Sequence, residues 1–216
     1  MKPGEREAPT EQPATRRRQA KPNARGQLSR ALILATAARH FGESGFRGAS
    51  AAAIASEADL SEPGLLHHFG SKTELLMSLL EMRYSHDETK LLADRELEGL
   101  QLLPLLVTLV RENEREPEPI KLSMVLLAES ISKSHPSHEF FKRRYARARE
   151  IVAAHLARAR NEGFIRQDVD AESLAAVLLA AIDGLQLQWL LDSRVDMSRC
   201  FEMLVAILEG ALAKPL

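Results

Sequence analysis

Ser50 and Ser61 each open a segment too short to stand as a helix by itself, and only Asp59 and Leu60 separate the two segments. The first, rich in alanine, carries Ile54, Ala55 and Ala58; the second tolerates Pro63 in its first turn, carries Leu65, Leu66 and Phe69, and stops at Gly70. Helices of about two turns are marginal in water, so this pair must pack on something longer. The preceding segment offers it. From Ser29, read as a cap, Ile33, Ala37 and Phe41 recur at helical spacing with Leu34 and Ala38 beside them, and Gly42 and Gly45 are expected to end that helix. Three helices with a tight turn make a helix-turn-helix, its small core expected from Ile33, Ala37, Phe41, Ile54, Leu60, Leu65 and Phe69.

Ser71-Lys72-Thr73-Glu74 then reads as a capping box before Leu75-Leu76, and helices are expected to follow to about residue 96 and near 100–115, 118–134, 137–162, 170–191 and 196–213. No alternating run is flanked by hairpin dipeptides, and Tyr and Trp total three. The class is therefore all-α, a three-helix head on a six-helix body. The divisions read from the chain are a disordered basic arm over 1–28, a helix-turn-helix domain over 29–75 and a helical body over 76–216.

Composition excludes several functions. No apolar run is long enough to span a bilayer, and the polar first 28 residues lack the apolar core of a secretory signal, so the expected location is the cytoplasm, with no membrane partner. One cysteine, Cys200, leaves no disulfide and no zinc cluster. His135 and His138 flank Pro136 on a face expected to be solvated, so no metal is expected, and no cofactor. No nucleophile elbow, phosphate loop or HExxH motif supports an enzyme. The net charge of -1 hides an asymmetry: residues 1–30 hold eight basic against three acidic side chains, with Arg16, Arg17 and Arg18 adjacent. Such an arm suits a polyanion. Residues 31–70 hold two arginines against four acids, so the arm is the expected source of charge for nucleic acid.

Ile33-Leu34, Phe41, Gly45-Phe46, Ile54-Ala55, Leu60-Ser61, Pro63 to Phe69 and Ser71 to Leu76 stand in order and spacing. Together they resemble the tetracycline-repressor (TetR) family over residues 29–77, and Gly163-Phe164-Ile165, Asp170 and Asp183 to Gln188 are similar to one branch of it. The resemblance implies a homodimeric repressor, binding a palindromic double-stranded DNA operator with its head and released by a small-molecule effector held in its body. The last two helices would dimerise, consistent with Leu174–Leu191 being apolar nearly all round.

By that resemblance the third helix enters the major groove with Glu62, Pro63, Gly64 and His67. Glu62 can accept from a cytosine amino group, Pro63 can meet a thymine methyl, and His67 can donate to a base or phosphate. Ser50, His68 and Lys72 stand at the family's phosphate positions. Leu66 replaces the usual tyrosine, and Asp59 the usual turn glycine. These departures, with Ala51 to Ala53 and the acidic head, motivate an alternative: a helical small-molecule-binding protein that has lost its operator. The resemblance also implies an effector cavity, with Met82, Met124, Leu127, Phe141, Tyr145 and Val152 as apolar candidates and Asp183 and Gln186 as polar points. Asp183, among Ala180, Ala181, Ile182 and Leu185, requires an internal partner or a ligand donor.

Overall fold

The computed structural model describes residues 24–93, 97 and 99–212. Arg16, Arg17 and Arg18 lie outside them. Among the described residues every regular element is a helix: α1 (Ala24–Gly48), α2 (Ala51–Glu57), α3 (Glu62–Phe69), α4 (Lys72–Ala93), α5 (Leu102–Glu114), α6 (Pro117–Glu129), α7 (His138–Asn161), α8 (Ala171–Leu191) and α9 (Met197–Leu212).

Capping sets the short elements. The Ser50 hydroxyl accepts from the Ala53 amide at 3.4 Å, that of Ser61 from Gly64 at 3.2 Å, and that of Ser71 from Glu74 at 3.1 Å. The return half of the Ser71 box does not form, because the Glu74 carboxylate lies against Gly70 instead. Asp59 takes the turn between α2 and α3 with φ +56°, a left-handed conformation that Asp tolerates better than most side chains.

Two expectations about α1 are corrected. It begins at Ala24, so residues 24–28 are helix rather than arm and Ser29 is interior; Gln27 and Leu28 are good helix formers and Gly26 only weakens the run. Gly42 does not end the helix but lets α6 approach, since a Cβ there would stand 3.5 Å from the Leu122 Cα. Gly45 alone breaks it, with φ +69° and ψ 179°. Likewise α6 stops at Glu129 rather than near 134, and the serine-rich segment after it forms tight turns.

Two cores organise the fold. The first joins Ile33, Ala37, Phe41, Ile54, Leu65 and Phe69 of the head to Leu75, Leu76, Leu79 and Leu80 of α4, Leu122 and Leu126 of α6 and Phe141 of α7. Leu60 packs on it from the rim. The second unites α5, α7, α8 and α9 around Leu103, Val152, Leu178 and Phe201. Head and body thus share a continuous apolar core, and α1 lies most extensively against α6. By length and composition α8 is apolar enough to cross a membrane, contrary to the expectation that no helix is; one carboxylate and two amides in its second half do not offset its leucines and alanines. In the fold it packs against α6, α7 and α9.

Candidate DNA-reading head and effector cavity

The head presents α3 with Glu62, Pro63 and His67 exposed and Gly64 and His68 half-buried. Leu65 and Phe69, on the opposite side, are sealed in the core, so the helix is fixed by one face while the other is free to meet a ligand. Arg30 locks its end: the guanidinium stacks 4.1 Å from the Phe69 ring centroid and donates to the His68 carbonyl and the Ser78 hydroxyl, each at 3.1 Å. Arg39 is paired with Glu57 and lies 3.7 Å from Glu43, while His40 Nε2 meets Glu57 at 3.1 Å. Positive charge on this part of the head is therefore largely matched internally.

Lys72 is where the sequence expectation and the geometry separate most. Its Nζ donates to the carbonyls of Phe46 and Ala49, each at 2.9 Å, and sits 4.6 Å from the centroid of the Phe46 ring. Two of its three donors thus close the carboxy-terminal end of α1, tying the start of α4 to it. A Lys72→Met chain is expected to lose about 1–2 kcal/mol of stability by urea denaturation, through unpaired carbonyls. It should also bind specific and random duplexes more weakly by the same factor, because a phosphate neighbour carries no base information. Unchanged denaturation would remove the capping role.

A second junction was not visible from the sequence. Gly45 frees the Phe46 amide, which donates to Glu129 Oε2 at 2.7 Å, so the last residue of α6 holds the break in α1. Behind it lies His135, whose side chain is 1% exposed, not solvated as expected. Its Nε2 is 3.4 Å from Glu129 Oε2, its Nδ1 is 2.8 Å from the Ser137 hydroxyl, and its ring stands edge-on to Phe46. The Ser130 hydroxyl donates to Leu126 O at 2.6 Å and is 2.7 Å from the Ser137 hydroxyl. These serines fold a polar loop inward by satisfying it internally. Burial holds the His135 pKa below its usual value, with Glu129 opposing and Arg47 assisting. His138 turns its Nδ1 to the Ser130 carbonyl at 2.7 Å. A run of serine and histidine carries no local signal for such burial.

The body encloses a cavity of about 420 Å³ between α4, α5, α6, α7 and α8. Of the sequence candidates, Met124, Leu127, Phe141, Tyr145, Val152, Asp183 and Gln186 line it. Met82 does not: it lies outside the lining and is 52% exposed, because α4 turns Arg83 and Tyr84 inward instead. Helical spacing alone could not tell which of three adjacent residues faced inward. Leu105, Leu109 and Ile120 extend the apolar wall, and Arg144 lies 4.0 Å over the Tyr84 ring. Asp183 has an internal partner, the Tyr145 hydroxyl, which donates to Oδ2 at 2.7 Å. Burial raises the Asp183 pKa, against the lowering effects of that bond and of Arg144; Tyr145 is itself raised by burial and by the Asp183 charge.

Comparison with known proteins gives this geometry its context. Residues 33–79 match the family model of bacterial regulatory proteins, tetR family, and residues 101–213 match that of the BetI-type transcriptional repressor, C-terminal. The chain belongs to the TetR family. Its relatives include the HTH-type transcriptional regulator PksA of Bacillus subtilis (strain 168), 28% identical over 173 residues that cover 78% of this chain and 82% of PksA. Among solved structures, a transcriptional regulator from Saccharomonospora viridis in complex with choline aligns with a TM-score of 0.71 at 24% identity, covering 88% of this chain and all of that one. NalD, the secondary repressor of the MexAB-OprM multidrug efflux pump in Pseudomonas aeruginosa, aligns with a TM-score of 0.70 at 20% identity, covering 88% and 98%. At such identities the two structures speak for the fold. The family matches make this chain a helix-turn-helix transcriptional regulator, and the alternative of a binding protein without an operator is not favoured.

Proposed function

We propose that this TetR-family regulator is a dimeric repressor that reads a palindromic operator with α3 and leaves it when a small molecule fills the body cavity. One observation carries the coupling. Helix α6 lines the cavity with Ile120, Ser123, Met124 and Leu127, and its last residue, Glu129, holds the broken end of α1. A ligand that displaces α6 therefore acts on the head through a bonded contact, and it shifts the equilibrium by its difference in affinity for the two arrangements. In this reading Glu62, Pro63 and His67 meet base edges, while Ser50, His68 and the α4 amino terminus beside Lys72 meet phosphates. Arg16, Arg17 and Arg18 supply the positive charge that the head spends internally. A regulator acting on such an operator works where the DNA is, in the cytoplasm.

Dimerisation is assigned to α8 and α9, where Val177, Leu187, Leu191, Met203 and Ile207 are each more than half exposed. A patch of this kind marks an interaction face. Selection of bound sequences from random duplex DNA with the full chain tests the whole reading. The expected product is a palindrome, and Glu62→Gln is expected to change the preferred base at one position per half-site, since an amide donates as well as accepts and suits adenine. Absence of any sequence-selective complex at low salt would overturn operator binding.

A further inference from the structure

On α8, Leu179, Ile182, Asp183 and Gln186 fall on the face that lines the cavity, two apolar side chains followed by two polar ones along one stripe. Asp183 Oδ2 accepts from Tyr145 at 2.7 Å, and the residue lies on the cavity wall, where a ligand can reach it. One turn on, Gln186 lines the cavity too and is otherwise buried, at 5% exposed. Both are polar groups set among apolar side chains, so an occupant that takes water from them must offer hydrogen bonds in return. The wall around them is aromatic, formed by Tyr84, Phe141 and Tyr145, whose rings favour a positive neighbour.

We propose, resting on the effector reading above, that the cavity takes an apolar molecule ending in a protonated amine, whose N–H donors meet Asp183 Oδ1 and the Gln186 side-chain oxygen. Its body lies along Leu105, Leu109, Met124 and Leu127. An amine supplies donors to these two acceptors, and its charge compensates the carboxylate that burial disfavours. An acid in the same place would set two carboxylates side by side. The opposing feature is Arg83, whose Nε is buried without a partner among the described residues. Its presence on the cavity wall makes an anionic ligand the competing outcome, with Arg144 lying beside it over Tyr84.

Three probes with the same ten-carbon chain separate these outcomes: decylamine, decanol and decanoate, titrated calorimetrically into the full-length protein at neutral pH. Decylamine is expected to bind at least tenfold more tightly than decanol, with decanoate the weakest. Asp183→Asn should bring decylamine to the affinity of decanol and leave decanol within about twofold. Tyr145→Phe, which keeps the carboxylate and frees its second oxygen, should retain the preference for the amine, so the inference stays testable if the Asn variant folds poorly. Decanoate binding as tightly as decylamine, or an amine preference that survives Asp183→Asn, overturns the proposal. So does failure of all three probes to bind while the protein still selects an operator, a result that leaves the DNA reading standing. If decylamine binds as expected and the operator complex persists, the amine site stands and effector-triggered release falls.

Discussion

Gly45→Ala is expected to destabilise the protein by about 3–5 kcal/mol, read as a shift in urea midpoint at unchanged slope. Two effects combine. With φ +69° and ψ 179°, Gly45 lies in a region essentially reserved for glycine, where another residue costs about 1–3 kcal/mol. The new methyl would also collide with the Glu129 carboxylate, which can move only by giving up the Phe46 amide. Loss of a charged hydrogen bond adds roughly 1.5–3 kcal/mol. Glu129→Gln separates the two: the backbone stays relaxed and an acceptor remains, so a loss of about 1 kcal/mol is expected from the weaker bond. If Gly45→Ala were no more costly than Glu129→Gln, the break in α1 would not be a strained, glycine-dependent joint. Because this joint is where α6 meets the head, operator affinity should fall in the alanine variant as well.

The largest functional effect is expected from charging the exposed apolar face. Leu187 on α8 and Ile207 on α9 are 52% and 60% exposed in a single chain. Replacing both by arginine leaves the folded subunit unaltered, since neither side chain belongs to a core, but places four like charges across the proposed two-fold interface. Sedimentation should then show a 24.0 kDa species. Operator affinity should drop by about 10²–10⁴, the gain that a second half-site gives when two heads are linked. A double variant that remains a dimer would move the interface elsewhere. A monomer with undiminished operator affinity would mean that one head suffices.

These effects reside at positions of different legibility. The short helices of the head were readable because their signals are local: Ser50, Ser61 and Ser71 each bond an amide three residues on, and Asp59 occupies a turn that its own backbone tolerance permits. The inward positions of α1, α2 and α3 follow from helical period, as do Glu62, Pro63 and His67 on the outward side of α3. The family words in this segment are dense for the same reason, since one geometry fixes many neighbouring residues.

By itself, then, the sequence determined the all-α class, the helix-turn-helix and its capping serines, and the run of body helices. Only the tertiary structure decided that Lys72 closes α1, that His135 is buried behind Glu129, that Tyr145 partners Asp183, and that Tyr84 rather than Met82 faces the cavity. The physical reason is separation along the chain. A cap or a periodic stripe involves residues within a turn or two, so its partners are adjacent in the sequence. Phe46 and Glu129 are 83 residues apart, and Tyr145 and Asp183 are 38 apart. Which distant group a polar side chain meets is settled only when α6, α7 and α8 pack on α1 and on one another.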